Sequence, residues 1–148
     1  MQTLIRVATQ DDIDTLFAIR TSVVQNHLSR EQMTNLGITP QVLADSIREA
    51  PCAWVAEVDG QPAAFSMVDL GEGEVFAMFV LPAYENRGLG RQLMAVAEAA
   101  LFERHDKLFL ITDGRNEIRA NGFYRRLGWC VVASVDGDDV RYEKNRAQ

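Results

Sequence analysis

Cysteine and histidine are both scarce, at two residues each in a chain of 148. Cys52 and Cys130 lie far apart, with no CxxC pair and no Cys/His cluster. That spacing argues against a structural zinc site, and two histidines leave metal catalysis little to stand on. Two buried, reduced thiols are the expectation, and no metal is expected. Proline is limited to four residues, and no Pro/Ser-rich linker, low-complexity stretch or internal repeat is found. No apolar run approaches the roughly 18–20 residues that cross a bilayer. No apolar segment of signal-peptide type follows the first basic residue, Arg6. A cytoplasmic chain without a membrane partner is therefore expected. Basic residues are in deficit: 15 Lys and Arg against 21 Asp and Glu give a net charge of −6. Nucleic acid is disfavoured as a partner, because phosphate contacts need a basic footprint.

What is present is an ordinary globular balance, 47% hydrophobic and 24% charged, over a length suited to one domain spanning residues 1–148. Residues 4–8 read as an opening strand. Thr9 with Asp12 three residues on is a capping-box pattern. Behind it Ile13, Leu16, Phe17, Val23 and Val24 fall largely on one helical face, and that helix is expected to end near Asn26. The polar segment 27–37 is unassigned. Thr39-Pro40 marks the next helix start, with Pro51 as its stop. Strands are predicted over 53–58, 62–70 and 74–81, with hairpin turns at Asp59-Gly60 and Gly71 to Gly73. The last of these, EVFAMFVL, is nearly all apolar and predicts a central strand buried on both faces. A long helix is predicted over 88–105, a strand over 108–112 and a short helix over 119–127. Strands over 130–135 and 140–143 close the chain as a hairpin. Gly128 suits the left-handed position after a helix. The order β-α-α-β-β-β-α-β-α-β-β predicts an α/β fold (α+β mixed sheet): a single mixed sheet, helices on both faces, and one parallel crossover around the long helix.

The most informative segment, LPAYENRGLGR (residues 81–91), joins that central strand to the long helix. Gly88 and Gly90 let the backbone turn tightly and expose its amides, and a helix N-terminus favours negative charge. Arg87 and Arg91 add positive charge. A diphosphate suits such a site; a loop that only turns the chain is the structural alternative. A dinucleotide fold, and with it an oxidoreductase, is disfavoured. Residue 93 is Leu where a third glycine belongs, only one βαβ unit exists, and too little chain follows. A P-loop lacks its Gly-Lys-Ser/Thr.

Val80-Leu81-Pro82 with Arg87-Gly88-Leu89-Gly90, then Asn116 and Phe123-Tyr124-Arg125-Arg126-Leu127-Gly128-Trp129, resembles the GNAT superfamily of acetyl-CoA-dependent N-acetyltransferases. Element order resembles the family along the whole chain; the motifs cover residues 74–129. The resemblance implies transfer of an acetyl group from acetyl-CoA, as co-substrate, to a primary amine by direct attack in a ternary complex. The amine is expected on a small molecule. A peptide or protein amine, or a non-catalytic acyl-CoA sensor, are the alternatives. It implies cofactor contacts from Met78, Phe79 and Val80, where a strand bulge frees backbone amides. It further implies contacts from Asn86, Arg87, Gly88, Leu89, Gly90, Arg91 and Asn116. Tyr124 is implied as general acid, since a phenol can protonate a leaving thiolate; Phe123 itself reads as core. Glu74 is the candidate base, because histone-acetylating members carry a glutamate ahead of the matching loop. The acceptor side is implied over residues 20–37, with Asn26, His27 and Arg30 as polar candidates. The net charge favours encounter with a cationic amine. A homodimer through the sheet edge or C-terminal hairpin is implied by the family alone. Two departures stand out. Glu85 sits where the family has Gln or Arg, and is expected to point away from the diphosphate. The interval from Asn116 to Tyr124 is one residue longer than the family pattern.

Overall fold

A computed structural model describes residues 2–23, 28–115 and 118–147. The elements are β1 (Thr3–Val7), α1 (Ile13–Ser22), α2 (Arg30–Asn35), α3 (Pro40–Glu49), β2 (Ala53–Val58), β3 (Gln61–Asp69) and β4 (Glu74–Val80). They continue with α4 (Leu89–Phe102), β5 (Lys107–Asp113), α5 (Ala120–Arg126), β6 (Cys130–Ser134) and β7 (Asp139–Asn145). Single 3-10 turns over Gln10–Asp12 and Pro82–Tyr84 lead into α1 and toward α4.

All seven strands form one sheet in the order β1-β2-β3-β4-β5-β7-β6. Every neighbouring pair is antiparallel except β4 and β5, which the α4 crossover makes parallel. Alternation along β3 shows which helix covers which face. Ser66 donates its hydroxyl to the Leu93 carbonyl of α4 at 3.2 Å. Its neighbour Phe65 points the other way, 5.9 Å from the ring of Phe79, and the Arg20 guanidinium of α1 lies 4.1 Å over that ring. α1 and α4 thus lie on opposite faces. α4 is held by Leu93, Met94, Ala97 and Leu101, all sealed from solvent. Burial of each large apolar side chain is worth about 1.5–3 kcal/mol.

The local signals resolve into caps. Thr9 and Asp12 form the capping box, with the Thr9 amide 2.8 Å from the Asp12 carboxylate. Arg6 holds the same carboxylate at 2.8 Å and reaches Glu57 at 2.9 Å, tying β1 to β2. Thr39 caps α3 through the Val42 amide at 3.2 Å.

Several expectations are corrected. α1 ends at Ser22, not near Asn26, because Val23 is already extended (φ −75°, ψ 146°). The unassigned segment contains α2, a six-residue helix whose Ser29 and Gln32 make a capping box and which buries only Met33. β4 is not buried on both faces: Phe76 is 43% exposed and residues 77–80 are half-buried, because this strand borders a cleft. Cys52 is buried, with its thiol pushed up to about 11 mainly by burial, but Cys130 is exposed on the outer strand β6. His105 lies between α4 and β5. Its ring is half-buried, donates to the Leu70 carbonyl at 2.7 Å and packs against Gly73. No helix of the described residues is long and apolar enough to cross a membrane.

Candidate active site

β4 and β5 run together for a single register pair, Glu74 with Phe109, and then diverge. The gap opens into a cleft of about 1100 Å³. It is bounded by the second half of β4, the start of α4, the end of β5, α5 and, on the opposite face of the sheet, α1.

The ladder between β3 and β4 decides what β4 offers to the gap. Leu81 donates to the Ala63 carbonyl at 2.8 Å, so those two residues form a hydrogen-bonded pair. Antiparallel pairs alternate, which directs the backbone groups of Phe79 toward β3 and those of Met78 and Val80 toward the gap. Past Glu74 no β5 residue pairs with them. A bulge interrupts the same ladder: Val75 faces Val68 and Ala77 faces Met67, leaving Phe76 as the extra residue. The bulge lies before Met78–Val80, where the resemblance had implied it, and it reverses side-chain parity. Glu74 therefore shares the α1 face with Ala77 and Phe79 instead of the α4 face with Met78.

At the end of β4 the chain enters α4 through Asn86 at φ 65° and Gly88 at φ 80°. Gly88 is the N-cap, a left-handed position that a side chain would strain. The first helical bond runs from the Gln92 amide to the Gly88 carbonyl at 3.2 Å. The amides of Leu89, Gly90 and Arg91 precede it and have no partner within the helix. Gly90 is also small for a packing reason, since a Cβ there would sit 3.2 Å from the Phe123 ring and 3.5 Å from Met78. Arg91 lines the cleft, whereas Arg87 lies outside its lining, 5.3 Å over the Tyr84 ring.

Glu85 does not simply point away. It lines the cleft mouth and is paired with Arg119, whose second terminal nitrogen donates to the Asn86 carboxamide. The acid at this position is answered by a cation from the opposite wall. Glu85 itself was the available clue, since an acid beside a candidate anion site calls for a counter-charge.

α5 is aimed into the cleft by buried polar groups. Asn121, 3% exposed, donates to the Asp113 carbonyl at 2.9 Å and the Arg115 carbonyl at 3.0 Å. Its carbonyl oxygen accepts from the Tyr142 hydroxyl at 2.7 Å. Beyond the helix, Trp129 donates to Glu98 of α4 at 3.1 Å, and Lys144 holds the same carboxylate at 2.6 Å. Tyr124 lies one turn past Asn121, between the rings of Phe123 at 5.6 Å and Tyr142 at 5.5 Å. Burial, with a smaller contribution from Tyr142, pushes its phenol up to about 12. The hydroxyl has no hydrogen-bond partner among the described residues, yet none of their sealed polar side-chain atoms lacks one, so this oxygen reaches the cleft. Phe123 is half-buried: it packs against the core and also lines the cleft against Gly90.

Met78, Phe79, Val80, Asn86, Gly88, Leu89, Gly90, Arg91 and Tyr124 are thus brought to one cleft. Glu74 stands one residue before the wall that β4 contributes, half-buried, and burial followed by Asp69 and Glu72 holds its carboxyl above the usual range. Asn26, His27 and Asn116 lie outside the described residues. No group of three or more His, Cys, Asp or Glu among the described residues is placed to hold a metal ion.

Comparisons with known proteins place the chain in a family. The family model described as acetyltransferase (GNAT) domain matches residues 49–131. An uncharacterized N-acetyltransferase of Archaeoglobus fulgidus is 33% identical over 86 residues, covering 52% of this chain and 58% of that protein. A mycothiol acetyltransferase of Clavibacter sepedonicus is 30% identical over 139 residues, covering 92% of this chain and 44% of that protein. The chain thus spans about half the length of these curated relatives. Among solved structures, the PaiA N-acetyltransferase of Thermoplasma acidophilum, in complex with coenzyme A, superposes with a TM-score of 0.79. It is 19% identical, over 99% of this chain and 100% of that one. With more than half of its length matched by the family model, and nearly all of it by a relative, the chain belongs to the GNAT acetyltransferase family.

Proposed function

We propose that this chain transfers an acetyl group from acetyl-CoA to the primary amine of a small molecule. One observation carries the reading: β4 backbone groups that no β5 residue pairs with, among the described residues, share one cleft with a glycine-capped helix start and a neutral phenol. The amides of Leu89, Gly90 and Arg91 take the diphosphate, with the helix dipole and Arg91 behind them. Asn86 and Gly88 shape that turn, and Arg87 adds charge from outside the lining. The gap-facing groups of Met78 and Val80 pair with the amides of the pantetheine arm, as a strand would, while Phe79 forms the floor. Asn116 remains a cofactor contact in this reading, and Asn26 and His27 remain acceptor contacts, on sequence grounds.

The amine nitrogen attacks the thioester carbonyl carbon; the C–N bond forms and the C–S bond breaks. A strand amide facing the gap stabilises the oxygen as it gains charge. The ammonium proton passes through water to Glu74, which burial makes a stronger base than an ordinary carboxylate. Tyr124 gives its proton to the departing thiolate. The reading includes cytoplasmic residence, and a dimer through β6, where Val131 and Val132 are 42% and 52% exposed.

The test is thiol release from acetyl-CoA over a panel of amino acids, polyamines, aminoglycosides and peptides. Release that depends on a small amine supports the reading. Release confined to peptides would move the acceptor to the protein class. Tight acetyl-CoA binding with no release above spontaneous hydrolysis would make the chain an acyl-CoA sensor.

A further inference from the structure

The acceptor side of the cleft carries its own charge pattern, and this inference rests on the transferase reading above. Helix α1 packs Leu16, Phe17 and Ile19 into the core. Arg20 follows Phe17 by three positions and Leu16 by four, which places it on the same apolar stripe. A hydrophobic residue is the ordinary choice there. The guanidinium instead lines the cleft, 4.1 Å over the Phe79 ring. Burial draws its pKa below the usual arginine value without removing its charge.

Around it the wall is apolar, formed by Leu16, Phe17, Phe65 and Met67. Among the described residues that line the cleft, the acids are Glu85, Asp113 and Asp139. Glu85 is held by Arg119 at the far mouth, and Asp113 and Asp139 face each other where β5 and β7 pair. None of the three belongs to α1, α2, α3 or β3, the elements of the acceptor side. The neighbouring segment 24–27 reads Val-Gln-Asn-His and contains no carboxylate. Glu74 shares this face but stands outside the lining, so a polycationic amine would find mainly apolar side chains and a guanidinium along the wall, whatever the net charge of the whole chain.

We propose that the acceptor is an amine that bears a carboxylate and an apolar body, an α-amino acid or a close analogue, with Arg20 receiving the carboxylate. A planar guanidinium binds a carboxylate through two parallel N–H donors, and an aromatic face behind it fixes the plane. Arginine has five such donors, so it keeps contacts within the protein while presenting two of them. The apolar wall takes the side chain. The amine, attached to the same carbon as the carboxylate, is left facing the part of β4 where the thioester would lie.

The experiment compares matched acceptors with the full chain: phenylalanine against phenethylamine, and leucine against isopentylamine, with spermidine as the cationic control. In the unaltered chain kcat/KM for the amino acid should exceed that for its carboxylate-free partner by tenfold or more. Arg20→Gln should bring that ratio close to one, mainly through KM for the amino acid, and Arg20→Lys should restore part of it. Acetyl-CoA titration and thermal melting on each variant separate a lost acceptor contact from a lost fold. Preference for phenethylamine or spermidine, a ratio unmoved by Arg20→Gln, or acetyl-CoA binding without turnover of any of these amines would overturn the proposal. Absence of acetyl-CoA binding in the unaltered chain would instead remove the transferase reading, and this proposal with it.

Discussion

Replacing Tyr124 by Phe removes one oxygen from a ring held between Phe123 and Tyr142 and leaves the packing in place. The hydroxyl makes no hydrogen bond among the described residues, so no partner is orphaned by its loss. The thermal midpoint should therefore stay within the change expected of about 0.5 kcal/mol. Burial lifts the phenol from 10.0 to about 12. At about 1.36 kcal/mol per unit, the site favours the neutral form by about 3 kcal/mol beyond water. The proton is present throughout the working pH range, but the acid is weaker than a free phenol. A thiol's ordinary pKa of about 8.5 makes proton transfer to the thiolate uphill, so it is concerted with C–S cleavage and the phenolate is reprotonated from solvent. General acid catalysis contributes about 10²–10⁴-fold, so kcat for Tyr124→Phe should fall by that factor. The fall corresponds to about 3–5 kcal/mol of barrier. Thiol release gives kcat on an acceptor whose chemical step is limiting, and calorimetry gives the acetyl-CoA affinity, which should be unchanged. Because the phenol titrates near 12, the pH profile below 10 should keep its shape and lose only height. A kcat within threefold of the unaltered chain, with affinity intact, would show that Tyr124 is a packing residue.

Gly88→Pro demands φ near −65° where the chain stands at 80°, and should abolish coenzyme A binding by calorimetry while the circular dichroism of the fold persists. Glu74→Gln should lower kcat by about 10²-fold and remove the acidic limb of the pH profile, a limb that lies above the ordinary carboxylate range because that carboxyl is raised. Asp12 is held below its ordinary pKa, chiefly by Arg6, so its stabilising effect is complete above the unfolded value near 3.8 and is lost as pH falls through the folded value. Arg6→Met should cost about 1–3 kcal/mol at pH 7 in urea unfolding and flatten that acid dependence. Gly122→Ala should stabilise α5 by up to about 1 kcal/mol in the same assay, since the added Cβ meets only the flexible end of Arg126 at 3.3 Å.

The parts of the fold that are written locally were legible. Thr9 with Asp12, Thr39 with Pro40, and Gly88 and Gly128 each announce a cap or a turn through their own backbone chemistry. The turn into α4 was readable for the same reason, since Gly88 stands at φ 80°, where other residues are strained. Helix α2 had a signal, Ser29 with Gln32, but with Met33 as its single buried residue there was no periodic stripe to confirm it. The burial of EVFAMFVL was misread because an apolar strand facing a cleft has the same composition as one facing core. The Phe76 bulge depends on how β3 and β4 come into register, and no residue in either strand states that register. Arg119 and Asn121 were missed because their partners are distant in the chain or are backbone carbonyls, neither of which leaves a spacing to find.

The single register pair between β4 and β5 has a consequence for how the molecule holds together. Hydrogen bonding divides the sheet into two leaves, β1 to β4 and β5-β7-β6, joined at one edge near Glu74 and braced by α4. Such an arrangement leaves the two leaves free to open by different amounts, as cooperative units with separate local stabilities. In the proposed mode of binding, a thioester arm laid along Met78 and Val80 would act as an eighth, temporary strand beside β4. Ligand at a hundredfold excess over its dissociation constant adds about 2.7 kcal/mol against any opening that expels it. On that reading the substrate would serve as part of the scaffold while it reacts, and each release of product would loosen the junction that the next molecule must enter.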